Sequence, residues 1–410
     1  MRDGSIAGLR HLAYFSPLPP ERSGIADYSG ELLPYIAELA QVTLFATHPE
    51  QVAVELRAAF AVRAVSEYGS EPGKYDIAIY QMGNSSFHEA MYRVMLRYPG
   101  VTVLHDHGLH HFIAARTIFQ GDSAGYAREL GYALGTEGVD LAYRIRQGQA
   151  ECPLFTVPLN ERVLDHSLGV IVHSQYAQGG IRIAHPNLPV AVVPAPIRTD
   201  FGPLRSRAEL GCPEDALIFA SAGHVIANKQ ITSALEAFAR LRIDFPQARY
   251  VVVGADLADL KDSDLQAWLR QHDLGDAILS TGYLADPREF VSWIAAADVL
   301  INLRYPTVGE TSATALRGLA AGRPVIVTDH GWYAELPDDV CVKITPDDAE
   351  ALYQAMRRLA GDPAMCRAIG QRAVAYVHRE HDLAVTAQKY LRFIEELFVR
   401  TTGDLAQSTS

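Results

Sequence analysis

Short apolar runs alternate with helix-length stretches along the whole chain. In the first half the runs cover residues 11–15, 42–46, 77–80, 101–104 and 169–172. In the second half they cover 218–222, 250–253, 277–280, 299–302, 325–327 and 340–344. Polar residues hardly interrupt them, as expected of parallel strands covered by helices on both faces. The pattern therefore predicts an α/β protein with doubly wound parallel sheets. Val193-Pro194-Ala195-Pro196-Ile197 separates the two sets, and proline there stops either domain's structure from running through. The chain thus divides into residues 1–196 and 197–381. An amphipathic helix is expected over about 382–400, followed by a disordered polar tail, 401–410.

Composition narrows the function classes. A chain of 410 residues exceeds one ordinary core, and 49% hydrophobic residues supply two. The net charge of −12 argues against a nucleic-acid partner, which needs a basic face. Residues 1–196 carry 14 Lys and Arg against 19 Asp and Glu, a net of −5, so an anionic membrane surface is not a favoured partner. No run approaches the ~20 apolar residues that span a bilayer, and residues 1–10 do not read as a secretory signal. Cys152, Cys212, Cys341 and Cys366 form no C-x-x-C pair and read as reduced thiols of a cytoplasmic protein.

Doubly wound domains bind ligands at the carboxyl ends of their strands, so chemistry is sought there, in a cleft between the two domains. After the first strand, Ser16–Tyr28 is a Pro/Ser/Gly loop in which Arg22 can meet an acceptor or phosphate and Gly24 allows close backbone approach. After 77–80 and 101–104 come Gln81–His88 and His105–His111. Asn84, His88, His105 and Asp106 are candidates to hydrogen-bond sugar hydroxyls. Five histidines with one acid and no H-E-x-x-H do not make a metal site, so no metal is expected. His110 and His111 are expected to pack or cap the next helix.

In the second half, Gly223-His224 through Lys229 leads into an amphipathic helix, a plausible diphosphate clamp that lacks the P-loop pattern. Gly282-Tyr283-Leu284 follows another strand, where backbone groups can read a base and the ring can stack, although a buried tyrosine fits equally well. Gly309-Glu310-Thr311-Ser312 opens a helix whose first N–H groups lack partners, and a hydroxyl cap there makes an anion site beside a carboxylate. Pro324 follows Gly322 at the helix end.

In this order the pieces resemble the retaining, nucleotide-sugar-dependent glycosyltransferases of the GT-B fold, the glycosyl transferases group 1. They are Ser23–Tyr28, Leu104-His105-Asp106, Ile171–Ser174, Gly223…Lys229, Gly282–Leu284, Ala297-Asp298 and Gly309-Glu310…Gly322-Arg323-Pro324-Val325. The resemblance implies two Rossmann-like domains, a C-terminal helix crossing back to the first, an acceptor held by the first domain and a donor by the second. It implies that Lys229 contacts the diphosphate, Thr311 and Ser312 hold it, Glu310 contacts the sugar, and His105 lies near the reacting face. Gly24, His224, Gly282, Tyr283 and Leu284 complete the donor set, and Arg22, Asn84, His88 and Asp106 serve the acceptor. The donor is a GDP- or UDP-linked sugar, with no metal cofactor. Two departures stand out: His224 replaces the usual arginine, and Arg317 falls where a second acid would bind the ribose. A nucleotide-sugar epimerase and a silent sugar-nucleotide scaffold are the alternatives.

Overall fold

The computed structural model describes residues 10–257, 267, 269, 271, 272 and 274–408, with side chains to residue 399. The reading of the amino terminus thus lies almost wholly outside the described residues. Two compact units form, each built on one parallel sheet.

The first unit holds seven strands: β1 (His11–Phe15), β2 (Gln41–Ala46), β3 (Ala61–Ala64), β4 (Ile77–Met82), β5 (Gly100–Leu104), β6 (Ser167–Val172) and β7 (Val190–Val192). Their order is β3-β2-β1-β4-β5-β6-β7, so the chain reverses direction of growth between β1 and β4. Along β1, Leu12 and Tyr14 enter one buried cluster while Ala13 and Phe15 enter another on the opposite face. That double burial is why the run shows no polar alternation. The strands absent from the sequence reading are β3 and β7, the two edges of this sheet.

The second unit holds β8 (Ile218–Ala222), β9 (Arg249–Val253), β10 (Ile278–Ser280), β11 (Val299–Asn302), β12 (Val325–Thr328) and β13 (Val342–Ile344). The order is β10-β9-β8-β11-β12-β13, with the reversal between β8 and β11. Phe219, Val252, Val299 and Ile326 enter its core. Several helices start on capping side chains: Ser23, Ser174, Asp286, Ser312, Asp348 and Asp362 each accept a backbone N–H of the first turn.

The first unit also takes up Val308–Thr311 and the final helix from Leu383. The final helix runs Leu383–Ser408, which corrects the expectation of a disordered tail from 401. Once a helix is nucleated each further residue is cheap, and no proline interrupts this stretch. Leu383, Ala387, Tyr390, Leu391, Ile394 and Leu397 are buried, one apolar stripe at helical spacing against the face of β1, β4, β5 and β6 that carries Leu12, Ile79, Val103 and Ile171.

Candidate functional site

In each unit the candidate residues gather at the carboxyl ends of the strands around the reversal, where open α/β sheets bind ligands. In the first unit, Ser23 caps the helix Gly24–Ala37 through a 3.2 Å bond from Ile25 N. Arg22 and Gly24 are exposed, and a Cβ on Gly24 would meet nothing within 4 Å. The loop after β4 is tighter. A Cβ on Gly83 would lie 2.3 Å from the Ile25 methyl, 3.1 Å from His88 Nε2 and 3.2 Å from Asp106 Oδ2. Only glycine lets these three side chains converge there.

That packing distributes the acceptor candidates unevenly. His88 has no exposed surface, and burial pushes its ring down to about 4, so it sits inside the unit as a neutral ring away from any surface an acceptor reaches. Asn84 serves its neighbours: its N–H donates to Asp106 Oδ2 at 2.8 Å, and its Oδ1 accepts from Phe112 N at 2.7 Å. Asp106 is half-buried and is already the acceptor of the Asn84 N–H. His105 is partly exposed, with Nε2 2.8 Å from Gln81 Oε1 and its ring between those of Tyr28 and His173 at 4.6 and 5.1 Å. Burial, with His173 and His88 nearby, holds its pKa well below the usual imidazole range. His110 is bound to the Val157 carbonyl at 2.7 Å and to the Tyr126 hydroxyl at 2.6 Å, a structural place as expected.

The segment Val308–Thr311 belongs to this unit. Gly108 N donates to Val308 O at 2.8 Å, and a Cβ on Gly309, at φ +82°, would stand 2.6 Å from His107 Cβ. Glu310 is half-buried and accepts from Val308 N at 2.9 Å. The Thr311 hydroxyl is buried and has no hydrogen-bond partner among the described residues. A buried hydroxyl left so is costly unless something else satisfies it.

In the second unit, three loops are stitched at one sheet end. Gly223 N donates to Val253 O at 2.8 Å, and Gly254 N donates to Thr281 Oγ1 at 2.8 Å. Gly223 has φ +84°, and a Cβ there would lie 2.8 Å from Lys229 Nζ and 3.7 Å from Thr314 Oγ1. The lysine thus curls back over the strand end, donating to Ala222 O at 3.1 Å. Ser312, itself bound to Asn302 Oδ1 at 3.0 Å, caps the helix Ala313–Ala320 by accepting from Ala315 N. A cation, a hydroxyl and a helix start therefore share one glycine-lined corner, which suits a phosphate group. His224 is exposed, and Leu284 is half-buried. Tyr283 is 52% exposed, which removes the buried reading. Arg317 is half-buried in the last turn of the helix. The sequence reading missed Thr314 and Gly83, whose only signal is their place after a strand.

Residues 215–362 match the family model described as Glycosyl transferases group 1. The chain is 26% identical to a D-inositol 3-phosphate glycosyltransferase of Streptomyces avermitilis over 50% of its own length and 45% of the relative's. It is 28% identical to one of Streptomyces bingchenggensis over 46% and 43%. The match thus spans less than half the length of either relative. Among solved structures, sucrose-phosphate synthase from Thermosynechococcus elongatus superposes with a TM-score of 0.68 at 19% identity, covering 95% of this chain and 100% of that one. HepE of Anabaena in complex with UDP gives 0.67 at 16%, covering 95% and 100%. WaaG, a glycosyltransferase involved in lipopolysaccharide biosynthesis, gives 0.62 at 15%, covering 94% and 99%. The fold is GT-B. Among the described residues no helix is long and apolar enough to cross a membrane, and no group of three or more His, Cys, Asp or Glu is placed to hold a metal ion.

Proposed function

We propose that this chain is a retaining glycosyltransferase that moves a hexosyl group from a nucleotide-diphosphate sugar to a hydroxyl of a glycan or similar acceptor. The corner of Gly223, Lys229 and Thr314 at the capped helix carries the proposal. Three features there answer the charge of a diphosphate, and the recorded UDP complex of HepE is in keeping with such a ligand. The donor lies on the second unit, with Tyr283 against the base, and the acceptor on the first, near Arg22 and Asp106.

In this reading the bond from the anomeric carbon to the diphosphate loosens first. Lys229 and the helix N-terminus stabilise the charge that develops on the leaving oxygen, the kind of electrostatic term that dominates many enzymes. The acceptor oxygen attacks from the same face and passes its proton to the departing diphosphate, so no separate protein base is required. Glu310 and His105 hold the sugar, and Thr311 gives its unpaired hydroxyl to the donor. His105 stays neutral and offers hydrogen bonds without adding charge. Lys229 and the helix supply the positive field that a metal ion would otherwise give. The four free cysteines fit a reducing, cytoplasmic setting.

A thermal-shift screen against UDP, GDP and their sugars tests the donor reading, because a ligand that binds only the folded state raises its Tm. Stabilisation by one nucleoside diphosphate, lost in Lys229→Ala, is the expected result. No shift with any of them sinks the proposal, and conversion of the nucleotide sugar without an acceptor would point to an epimerase instead.

A further inference from the structure

The expectation for His111 is packing or capping at the start of the helix His110–Arg116, and the structure gives the ring a more specific setting. Asn84, in the loop after β4, bridges two groups. Its Oδ1 accepts from Phe112 N at 2.7 Å, and its Nδ2 lies 3.2 Å from His111 Nδ1. A backbone N–H can only donate, so it holds the amide with oxygen toward Phe112 and NH2 toward the imidazole. Turning the amide over would set two donors against each other at Phe112. The NH2 group also can only donate, so Nδ1 receives it without a proton of its own. The neutral ring therefore carries its proton on Nε2. Among the described residues Nε2 makes no hydrogen bond. The ring is half-buried, packed edge-on to Phe155 with 5.1 Å between centroids.

Glu310 belongs to the same unit. Burial lowers the His111 pKa from its ordinary value while the Glu310 carboxylate acts to raise it, so the two groups are near neighbours. Burial and the same carboxylate raise the pKa of the Tyr176 hydroxyl. A Cβ on Gly309, the residue before Glu310, would stand 3.4 Å from Tyr176 Cε1, which seats this segment beside that ring. A fixed N–H donor with a carboxylate nearby suits one kind of ligand group. A hydroxyl can accept from the imidazole and donate to the carboxylate at once, whereas an acidic group would be repelled by Glu310.

We propose that His111 is a sugar-binding residue whose Nε2–H, oriented by Asn84, donates to a hydroxyl that donates in turn to Glu310. Asn84 is a positioning residue, since it acts on the sugar through His111. The sugar contact rests on the reading of Glu310 under the proposed function; the place of the imidazole proton does not.

The test has two arms, both on the full-length chain. In the first the protein is labelled with 15N-histidine, and the His111 ring signals are assigned by their loss in His111→Gln. At pH 7.5 the protonated nitrogen should be Nε2, the one that correlates with both carbon-bound ring protons. In Asn84→Asp a carboxylate accepts from Phe112 N and from the ring alike, so Nδ1 should become protonated. A proton on Nδ1 in wild type, averaged shifts, or an unchanged Nδ1 in Asn84→Asp overturns the proposal. The second arm is calorimetric titration with UDP, UDP-glucose, GDP and GDP-mannose. An asparagine amide reaches only the place of Nδ1, whereas a glutamine amide reaches that of Nε2. His111→Asn should weaken the nucleotide sugar about five- to tenfold and leave the matching nucleoside diphosphate within about twofold, the loss of one hydrogen bond. His111→Gln should weaken it clearly less. Equal losses in the two variants, or none in His111→Asn, overturn the sugar contact. If wild type binds none of the four, the donor reading fails and the sugar contact with it, while the resonances still decide where the proton sits.

Discussion

Lys229 places one ammonium over the end of β8, so its loss should be felt in chemistry more than in folding. Lys229→Ala should raise the barrier by about 2–4 kcal/mol, at least a tenfold loss of kcat, with little change of Tm. Turnover at the wild-type rate in that variant would rule out the assignment. Glu310→Gln keeps the shape and weakens hydrogen bonds to sugar hydroxyls, so turnover should drop while nucleoside diphosphate binding persists; equal turnover would place the sugar elsewhere. The buried histidines make a separate prediction. Burial holds His88 and His110 at about 4, below the ordinary 6.5. In the unfolded chain these rings take up protons first, so stability is intact above about pH 6.5 and is lost as pH falls toward about 4. A Tm that stays flat over that window would contradict the burial argument. At this scale the placement of Lys229 and Ser312 at a strand end beside a helix start was legible in the sequence, whereas Tyr283 was left between a buried ring and an exposed one. The positions of Thr314 and Gly83 were not legible. They are set by neighbours distant in the chain, Thr314 by Gly223 and Gly83 by Ile25 and Asp106.

The central strands were readable for the reason that makes them stable: both faces are buried, so their residues form nearly unbroken apolar runs. The edges β3 (Ala-Val-Arg-Ala) and β7 (Val-Ala-Val) are three or four residues long and only partly buried at best, β3 interrupted by Arg63 and β7 set between Pro189 and Pro194. The final helix was visible as an amphipathic stripe, yet its far end was misplaced because polar composition does not by itself stop a helix. That stripe gives the prediction for this scale. Leu391 is fully buried in the cluster shared with β1 and β4, so Leu391→Ala should cost about 2–5 kcal/mol and lower Tm without changing the nucleotide specificity. A Tm within error of wild type would mean the helix does not seat there in solution.

For the molecule as a whole, charge decides which surfaces it approaches. With a net of −12 overall and −5 over residues 1–196, sedimentation with anionic liposomes at low salt should leave the protein in the supernatant. Strong, salt-sensitive pelleting would reveal a local basic patch that the sums conceal. The take-up of Leu383–Ser408 by the first unit also bears on how the protein is made. Emerging from the ribosome at about 5–20 residues per second, the first 196 residues wait on the order of ten to forty seconds for that helix. Through that interval Leu12, Ile79, Val103 and Ile171 lack the cover that closes their side of the sheet. The second unit, contiguous apart from four residues, has no such delay, so the half translated later is the half that can finish first. A nascent chain stalled before residue 383 is therefore the form most exposed to chaperones and proteases.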